Sequence, residues 1–313
     1  KGYFHSSNNM IECSKVWRKE NREVHKFLRA IGFSDITKKD LEMILDEVIT
    51  RPEIMKITKD SEGNEFAELS GSFAANAGIT VRGTYQEDDS FHMDYYYPYV
   101  FGTSITTNEQ IDVEKHAEKE SYAGVCDEVN LGVTLIFYIQ NVADYLAETN
   151  RHLSKIHYGA MLAGLSTEGK ILCPVVERKK NDVPAIQKND RHNQLIAQAR
   201  EGDEDAIESL TLEDMDTYAL LSQRVMKEDI FSIVKSTFMP FGIESDQYTV
   251  LGEIIDCVTM ENKLTHEKLY GMKLLCNNIQ FDVCINEKDL LGEPAIGRRF
   301  RGNVWMQGNL CLE

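Results

Sequence analysis

Hydrophobic residues recur at helical spacing in two segments near the start of the chain. In "HKFLRAIGF", Phe27, Leu28 and Ile31 share one side of a short predicted helix that ends at Gly32. A second apolar stripe follows at amphipathic spacing and consists of Leu41, Ile44, Leu45, Val48 and Ile49. Thr37 and Asp40 occupy the capping-box positions before this stripe, and Pro52 follows it. The pattern therefore predicts two helices.

After Pro52 the hydrophobic pattern changes from helical spacing to alternation. Two predicted hairpins pair "IMKIT" with "EFAEL" and "ITVRGTY" with "FHMDYYYPYV", because turn-forming residues separate the runs. "IDVEKHAEKE" can continue as a strand, and "GVTLIFYIQNVADYL" fits a buried strand or a helix. We therefore predict that residues 24–146 form an α+β domain with a largely antiparallel sheet.

The second half of the chain is predicted as a connection followed by a β-rich module. Residues 147–229 contain one predicted strand, "EGKILCPVV", and a predicted helical pair, in which "RHNQLIAQAR" stops at Gly202 and Asp203 stands at the next N-cap. Residues 230–313 contain five β-rich runs with a turn or short helix before the last, which is the strand count of a small OB-like barrel. Residues 1–23 are polar and unpatterned, and we predict an N-terminal extension. No internal repeat is visible.

The predicted fold class is therefore α+β. It consists of N-terminal helices plus an antiparallel sheet, a helical connection and a C-terminal small β-barrel-like module of the OB-like kind.

Composition adds expectations about compartment and partners. The 313 residues are 42% hydrophobic and 27% charged, as in soluble globular proteins, and the net charge is -17. Such a charge repels phosphate, which disfavours nucleic acid and anionic membranes as partners. The longest apolar run, "LGVTLIFYI", is too short to span a bilayer, and the first residues lack a signal-peptide core. Seven scattered cysteines without CxxC spacing indicate free thiols. We expect a cytoplasmic protein.

One candidate catalytic group lies in "VEKHAEKESY". On a strand, Glu114, His116 and Glu118 share one face, where a histidine between carboxylates could bind a metal or act as an acid or base. In this hypothesis Arg82 of the neighbouring hairpin orients an anionic substrate, with Asp94 and Tyr96 close by. The same spacing also fits a solvated strand face, and Cys126 beside Asp127 fits a structural thiol.

A second candidate site is "GRRFRGNVWMQG" (297–308). Alternation places Phe300, Gly302, Val304 and Met306 on one face of a strand. The other face carries Arg299, Arg301, Asn303, Trp305 and Gln307. Such a face could bind single-stranded nucleic acid, with Trp305 stacked on a base. Alternatively, Trp305 covers a seam with the N-terminal domain and the arginines pair with acidic neighbours, which the charge balance favours.

Several stretches resemble a known family. "HKFLRAIGFSDI", "HAEKESYAGVCDEVNLGVTLIFYIQN", "FMPFGIESDQYTVLGEI" and "DVCINEKDLLGEPAIGRRFRGNVWMQG" are similar to an uncharacterised clostridial (Firmicutes) family, the domain-of-unknown-function family 3881. The resemblance runs from His25 to the end of the chain. It implies a bacterial cytosolic protein and brings no activity, cofactor or catalytic residue.

The leading interpretation is a noncatalytic binding or protein-interaction protein, because each catalytic pattern also has a structural explanation. The first alternative is a metal-dependent or acid/base hydrolase that uses Glu114, His116 and Glu118. The second is a single-stranded nucleic-acid binder that uses the C-terminal strand. The sequence leaves the cofactor, the metal, the oligomeric state and the presence of any enzymatic activity open, and it favours a protein partner over nucleic acid.

Overall fold

The computed structural model describes residues 24–116, 120–151, 157–175, 198, 203, 208, 234–242 and 246–312. The first elements are the 3-10 helix η1 (Lys26–Ile31) and the α-helix α1 (Lys38–Thr50). Gly32 ends η1 in the left-handed conformation, with φ of 94°, and the Thr37 side chain accepts a hydrogen bond from the Asp40 backbone N–H. Both predicted helices and their end signals are confirmed.

A four-stranded antiparallel sheet follows α1. Its strands are β1 (Ile54–Lys59), β2 (Glu65–Ala74), β3 (Ala77–Tyr85) and β4 (Phe91–Val100), and they pair in chain order. Both predicted hairpins are therefore confirmed. The buried side of α1 belongs to the same hydrophobic cluster as this sheet, so the helix stripe and the alternating strand positions form one core.

A second sheet contains ten strands. Its strands, with the helices that lie between them, are β5 (Thr107–His116), β6 (Ser121–Glu128), β7 (Val133–Ile139), α2 (Val142–Asn150), β8 (His157–Leu172), β9 (Thr237–Pro240), β10 (Gln247–Glu261), β11 (Lys268–Cys276), β12 (Ile279–Asn286), the 3-10 turn η2 (Glu287–Asp289), β13 (Leu290–Leu291) and β14 (Arg299–Leu310). The two long strands β8 and β14 pair antiparallel from Leu172–Arg299 to Ala160–Leu310. We call this pair the β8–β14 ribbon.

Eight of the ten strands form two halves with the same connectivity, and β9 and β13 pair with β10 and β8. β5-β6-β7-α2-β8 and β10-β11-β12-η2-β14 are each a three-stranded meander, a helical turn and a long strand. The first strand of each half pairs antiparallel with the long strand of the same half, which gives the pairs β5–β8 and β10–β14. The third strand of each half pairs parallel with the long strand of the other half, which gives the pairs β7–β14 and β12–β8. Each meander thus closes a five-stranded ring on the β8–β14 ribbon. The topology contains a repeat that the sequence does not show.

Two hydrophobic clusters hold these layers together. The first combines side chains of both rings and includes the fully buried Phe137, Phe281 and Phe300. The second joins η1, α1 and the four-stranded sheet to outward-facing residues of the rings, among them Leu165 and Trp305. The four-stranded sheet and its helices therefore cover the part of the ribbon's outer face that carries Leu165 and Trp305.

The predicted α+β class is wrong, because strands make up 56% of the described residues and the helices are few and short. "GVTLIFYIQNVADYL" divides into β7 and α2, and "EGKILCPVV" supplies only the end of the long strand β8. The C-terminal strands close a ring only with β8, so they do not form a separate OB-like module. The ten-stranded sheet crosses the predicted boundaries at 146 and 229.

Two predicted segments, the N-terminal extension (1–23) and, apart from three isolated positions, the helical pair, lie outside the described residues. Within the described part of the chain, no helix combines the length and the apolar character needed to cross a membrane.

Candidate functional site

The alternation predicted for β14 determines where its side chains lie. Phe300, Val304 and Met306 join the cluster inside the rings, whereas Trp305 joins the outer cluster against η1. The register shift between Asn303 and Val304 falls opposite Glu168 and Ser166, so the extra residue belongs to β8 and the alternation of β14 continues. The outer face of β14 therefore carries the predicted candidate residues, and the structure shows what each side chain contacts.

Trp305 lies at the seam between the β8–β14 ribbon and η1. Its ring centroid is 5.2 Å from that of Phe27, in a stacked arrangement, and 5.1 Å from the imidazole of His25. Its Nε1 donates a hydrogen bond of 2.7 Å to Asp246. Only 7% of the residue is exposed. Trp305 therefore cannot stack on a nucleobase, and that part of the nucleic-acid hypothesis is wrong.

His25 at this seam makes stability depend on pH. Burial, and then the charge of Lys26, lower the pKa of His25 from 6.5 to about 4. The unfolded chain takes up this proton near pH 6.5 and the folded chain does not, so stability falls as the pH falls from 6.5 towards 4. The full shift corresponds to about 3 kcal/mol, and residual exposure reduces the expected loss to roughly 2 kcal/mol. Urea unfolding at pH 7 and pH 4.5 measures it.

His25→Asn is the matched variant for this measurement. Asparagine keeps a side-chain acceptor at the N-cap of η1, where His25 accepts from the Phe27 N–H, and it does not titrate. The variant should lose roughly 2 kcal/mol less than the parent between the two pH values. Equal losses in both proteins would contradict the assignment.

The other polar residues on this face of β14 are of two kinds: some are buried and bonded within the fold, and others line a surface cleft. The buried guanidinium of Arg299 donates to the backbone oxygens of Cys173 and Val234, at 2.9 and 2.6 Å. Gln307 is also buried, and its side chain donates to Pro98 O at 2.9 Å and accepts from Gln140 at 2.8 Å. Both are held by the fold. Arg301 instead lines a surface cleft.

Arg82 is fully buried, with an exposed fraction of 0%. Its guanidinium donates to the hydroxyls of Tyr95, Tyr97 and Tyr138 at 2.8 to 3.1 Å, and to the backbone oxygens of Ile139 and Gln140. Glu68 lies 3.3 Å away as its ionic partner. A substrate cannot reach a guanidinium enclosed in this way, so the predicted substrate-orienting role of Arg82 is wrong.

The other tyrosines of β4 pack against the four-stranded sheet and η1. Tyr96, Tyr97 and Tyr99 are buried, and the Tyr96 hydroxyl accepts a hydrogen bond of 3.0 Å from the His25 N–H. Asp94 is partly exposed, and its Oδ1 lies 3.7 Å from Nδ1 of the exposed His92. Tyr96 therefore serves the η1 seam, and Asp94 stays at the surface.

The predicted Glu114, His116 and Glu118 face lies mostly outside the described residues. Glu114 is exposed on β5, whereas the side chain of His116 and all of Glu118 are not described. Among the described residues, no group of three His, Cys, Asp or Glu side chains is arranged to hold a metal ion. The hydrolase hypothesis therefore rests only on Glu114, His116 and Glu118, and it stays a prediction.

A carboxylate beside this face has a structural role. Glu120 is buried, and it accepts hydrogen bonds from Lys115 at 2.7 Å, from the Ser61 hydroxyl at 2.6 Å and from the Tyr122 hydroxyl. Burial alone would raise the pKa of Glu120, but these three donors lower it below its usual range. Glu120 is therefore an ionised anchor that ties the β1–β2 turn to the β5–β6 hairpin.

Cys126 has the structural role that was predicted. The thiol is buried, and burial together with nearby acidic residues raises its pKa to about 12. Such a thiol carries almost no thiolate at neutral pH and is a poor nucleophile.

The surface cleft that contains Arg301 has a volume of about 420 Å³ and lies on the outer face of the β8–β14 ribbon. Lys170 and Arg301 are directly opposite each other on the two strands, and Glu168 and Asn303 form the opposite pair two positions along. Phe241 and Leu291 line the cleft with exposed apolar surface, 41% and 74% of each residue. The cleft therefore offers a charged floor between two apolar walls.

Two glycines that also line the cleft separate these charged pairs. Gly169 and Gly302 are opposite each other in register, and the Phe300 ring lies against both from inside. A Cβ atom on Gly302 would lie 2.5 Å from that ring and 2.6 Å from the Glu168 backbone oxygen. Glycine is thus required here for the close approach of Phe300.

Of the cleft residues, sequence reasoning singled out Arg301 and placed Asn303 beside it. Lys170 and Glu168 lie in "EGKILCPVV", which was predicted as a strand with no role in a site. Alternation along β8 would have placed these two side chains on one face. Arg301 lies more than 130 positions away in the sequence. It comes beside these side chains because β8 and β14 pair, and no local sequence pattern predicts that pairing.

No curated protein and no solved structure matches this chain. The model of the family described as "Domain of unknown function, E. rectale Gene description (DUF3881)" matches residues 28–308, from η1 into β14, and thus includes the cleft. The resemblance found in the sequence is confirmed, and the chain belongs to this family of unknown function.

Proposed function

We propose that this protein is a noncatalytic binding protein and that the cleft on the β8–β14 ribbon holds an anionic group of its ligand. The observation that carries the proposal is the direct cross-strand pair of Lys170 and Arg301. Opposite residues on antiparallel strands have Cα atoms about 4.5 to 5.5 Å apart, so the two cationic side chains share one part of the cleft floor. An anionic group bound beside them would accept a charge-assisted hydrogen bond from each.

The apolar walls indicate the rest of the ligand. A large exposed side chain on each side of a charged floor suits a ligand that carries both an anionic group and an apolar group. The volume of about 420 Å³ lies in the range of small-molecule and short-peptide sites.

A noncatalytic role is supported by the surroundings of the candidate catalytic residues. Arg82 is enclosed, and Cys126 is held as a buried thiol. The nucleic-acid alternative loses support because the fold uses Trp305 and Arg299 internally. Six described cysteines are free, which supports a cytoplasmic location because thiols stay reduced there.

The proposal is tested by the binding of N-acetyl-leucine, which has one carboxylate and one apolar side chain. We expect measurable binding by calorimetry, and at least tenfold weaker binding by the Lys170→Met/Arg301→Met variant, because each charged hydrogen bond contributes about 1.5 kcal/mol or more. The control is Lys39→Met/Arg51→Met, which changes the net charge equally at exposed positions of α1 and its end.

Equal loss of affinity in both double variants would mean that binding depends on the net charge. It would contradict the proposal that the ligand binds in the cleft. The absence of binding by the parent protein would contradict the proposed function itself.

A further inference from the structure

We propose that the open edge of β1 is a docking site for an extended segment of another protein, which adds to the four-stranded sheet as a further antiparallel strand. From its N-terminus the segment has the pattern acidic-x-apolar-x-apolar. β1 is the first strand in the order β1-β2-β3-β4, and among the described residues no strand pairs with its other side. This site and the cleft lie on different sheets, so the proposal goes beyond the proposed function.

The backbone of β1 presents hydrogen-bonding groups at this edge. The Asp60 N–H donates to Asn64 O at 3.0 Å, which makes these two residues a hydrogen-bonded pair at the turn between β1 and β2. Such pairs recur at every second residue of an antiparallel ladder. In the register of β1 and β2, the N–H and C=O groups of Met55, Ile57 and Lys59 therefore point away from β2.

The helix α2 covers the other face of β1 and one end of its edge. The Asn150 side-chain amide donates to Lys59 O at 2.8 Å, which agrees with the outward direction of that carbonyl group. Lys56 points to the face that α2 covers, where it pairs with Asp144. An added strand therefore finds its backbone partners in the middle of β1 and its side-chain partners on the face away from α2.

Apolar side chains lie along this edge on the face away from α2. Met55 and Ile57 are 49% and 45% exposed. They are opposite Leu69 and Ala67 of β2, which are fully buried in the cluster that includes α1. The apolar surface beneath α1 thus continues to the edge of the sheet, and apolar residues opposite Met55 and Ile57 would cover it.

Lys59 determines the charge of the segment. It follows Met55 and Ile57 on the same face of β1, is exposed, and lies opposite Glu65 of β2. On the open side of β1, a residue directly opposite Lys59 is favoured as a carboxylate and disfavoured as a cation. In an antiparallel segment this acidic residue comes first, and the two apolar residues follow at every second position.

A second copy of this chain suits the edge less well than a short partner segment. Stable interfaces use about 20 to 30 residues from each side, whereas the edge offers the six residues of β1. Two copies, each with a net charge of -17, also repel each other. Strand addition by a short segment needs less area, because main-chain hydrogen bonds supply much of the affinity.

The first experiment measures the binding of the peptide Ac-Glu-Thr-Val-Thr-Val-Thr-amide to the full chain by calorimetry. We expect measurable binding. N-methylation of both valines should weaken it about tenfold or more, because it removes the two N–H groups that face β1. N-methylation of the two threonines that precede the valines should leave the affinity within about threefold, because their N–H groups face away from β1.

The second experiment changes the protein. Ile57→Pro removes an outward N–H and leaves the β1–β2 ladder intact, so we expect about tenfold weaker binding. Ile57→Ala keeps the N–H and should weaken binding less. The parent should prefer the glutamate peptide over one that begins with lysine by about threefold, and Lys59→Glu should reverse this preference. Circular dichroism checks that each variant is folded, and the methylated peptides test the same edge without any variant.

Four results would overturn the proposal. If the parent binds none of the peptides, β1 is an edge that its lysines protect from pairing. Equal affinity for the two methylated peptides would exclude strand addition. Displacement of the peptide by N-acetyl-leucine would place it in the cleft instead. If sedimentation shows a dimer that Ile57→Pro converts to a monomer, the occupant of the edge is a second copy of this chain.

Discussion

Replacing Arg82 with methionine is expected to lower the free energy of unfolding by about 3 to 5 kcal/mol. The substitution keeps the apolar volume of the side chain but removes the cation from a cluster that contains Glu68, three tyrosine hydroxyls and two backbone oxygens. Glu68 would then be a buried carboxylate that still accepts a hydrogen bond from the Ala143 N–H but has lost its ionic partner. Uncompensated buried charge is among the most destabilising changes in a folded protein. Urea unfolding at pH 7 measures the loss.

The pH dependence of this loss identifies its cause. Burial already raises the pKa of Glu68, against the opposing charge of Arg82. Without Arg82 the pKa rises further, so the folded variant binds this proton more tightly than the unfolded chain does, and the variant gains stability as the pH falls. The difference in the free energy of unfolding between the parent and Arg82→Met should therefore become smaller towards pH 5. A constant gap would point to lost packing instead of an uncompensated carboxylate.

Three further variants serve as controls for Arg82. Arg51→Met removes an exposed arginine at the end of α1 and should change stability by no more than about 0.5 kcal/mol. Arg82→Lys keeps the charge but cannot reach five acceptors, so we expect an intermediate loss. Adding Glu68→Gln to Arg82→Met should restore part of the stability. Parent-like stability of Arg82→Met would show that the cluster does not stabilise the fold.

The sequence predicted local structure well where the signal lies within a few residues. Gly32 and Thr37 marked helix ends that the structure contains, and β3 and β4 follow the predicted hairpin. The fold class was wrong because it depends on pairings between distant segments. Nothing near Lys170 indicates that its neighbour is Arg301, and nothing in the C-terminal runs indicates that their ring closes on β8. The chain's two matching halves are visible only as connectivity.

The same reasoning explains why the candidate site was only partly predicted. Alternation correctly placed Arg299, Arg301 and Trp305 on one face of β14. Alternation does not show which parts of the protein pack against that face, and the packing partner changes from residue to residue along β14. η1 covers Trp305, the backbone oxygens of Cys173 and Val234 accept hydrogen bonds from Arg299, and Arg301 lines the cleft. Arg82 was misjudged for a related reason, because a polar residue on an alternating strand was assumed to face solvent.

Replacing Trp305 with alanine is expected to lower the free energy of unfolding by about 3 to 5 kcal/mol, the usual range for a buried tryptophan. The indole packs on His25, Phe27 and Tyr138, so its removal opens a cavity where the ribbon meets η1. Trp305→Phe keeps an aromatic ring but removes the Nε1 donor to Asp246, which should cost about 1 kcal/mol beyond the smaller packing area. Urea unfolding of both variants gives the two contributions.

A double-mutant cycle tests whether the seam itself provides this stability. Phe27→Leu combined with Trp305→Leu should show a coupling of about 0.5 to 1.5 kcal/mol, because the two rings stack and each substitution removes one of them. Phe241→Ala is the matched control, since this aromatic residue is exposed in the cleft and should change stability by no more than about 0.5 kcal/mol. If Trp305→Ala unfolds like the parent protein but loses affinity for single-stranded oligonucleotides, then Trp305 must be a binding residue, and the seam described here is wrong. Loss of stability in Trp305→Ala, with retained binding of N-acetyl-leucine in Trp305→Phe, would assign Trp305 to the fold and leave the cleft as the site.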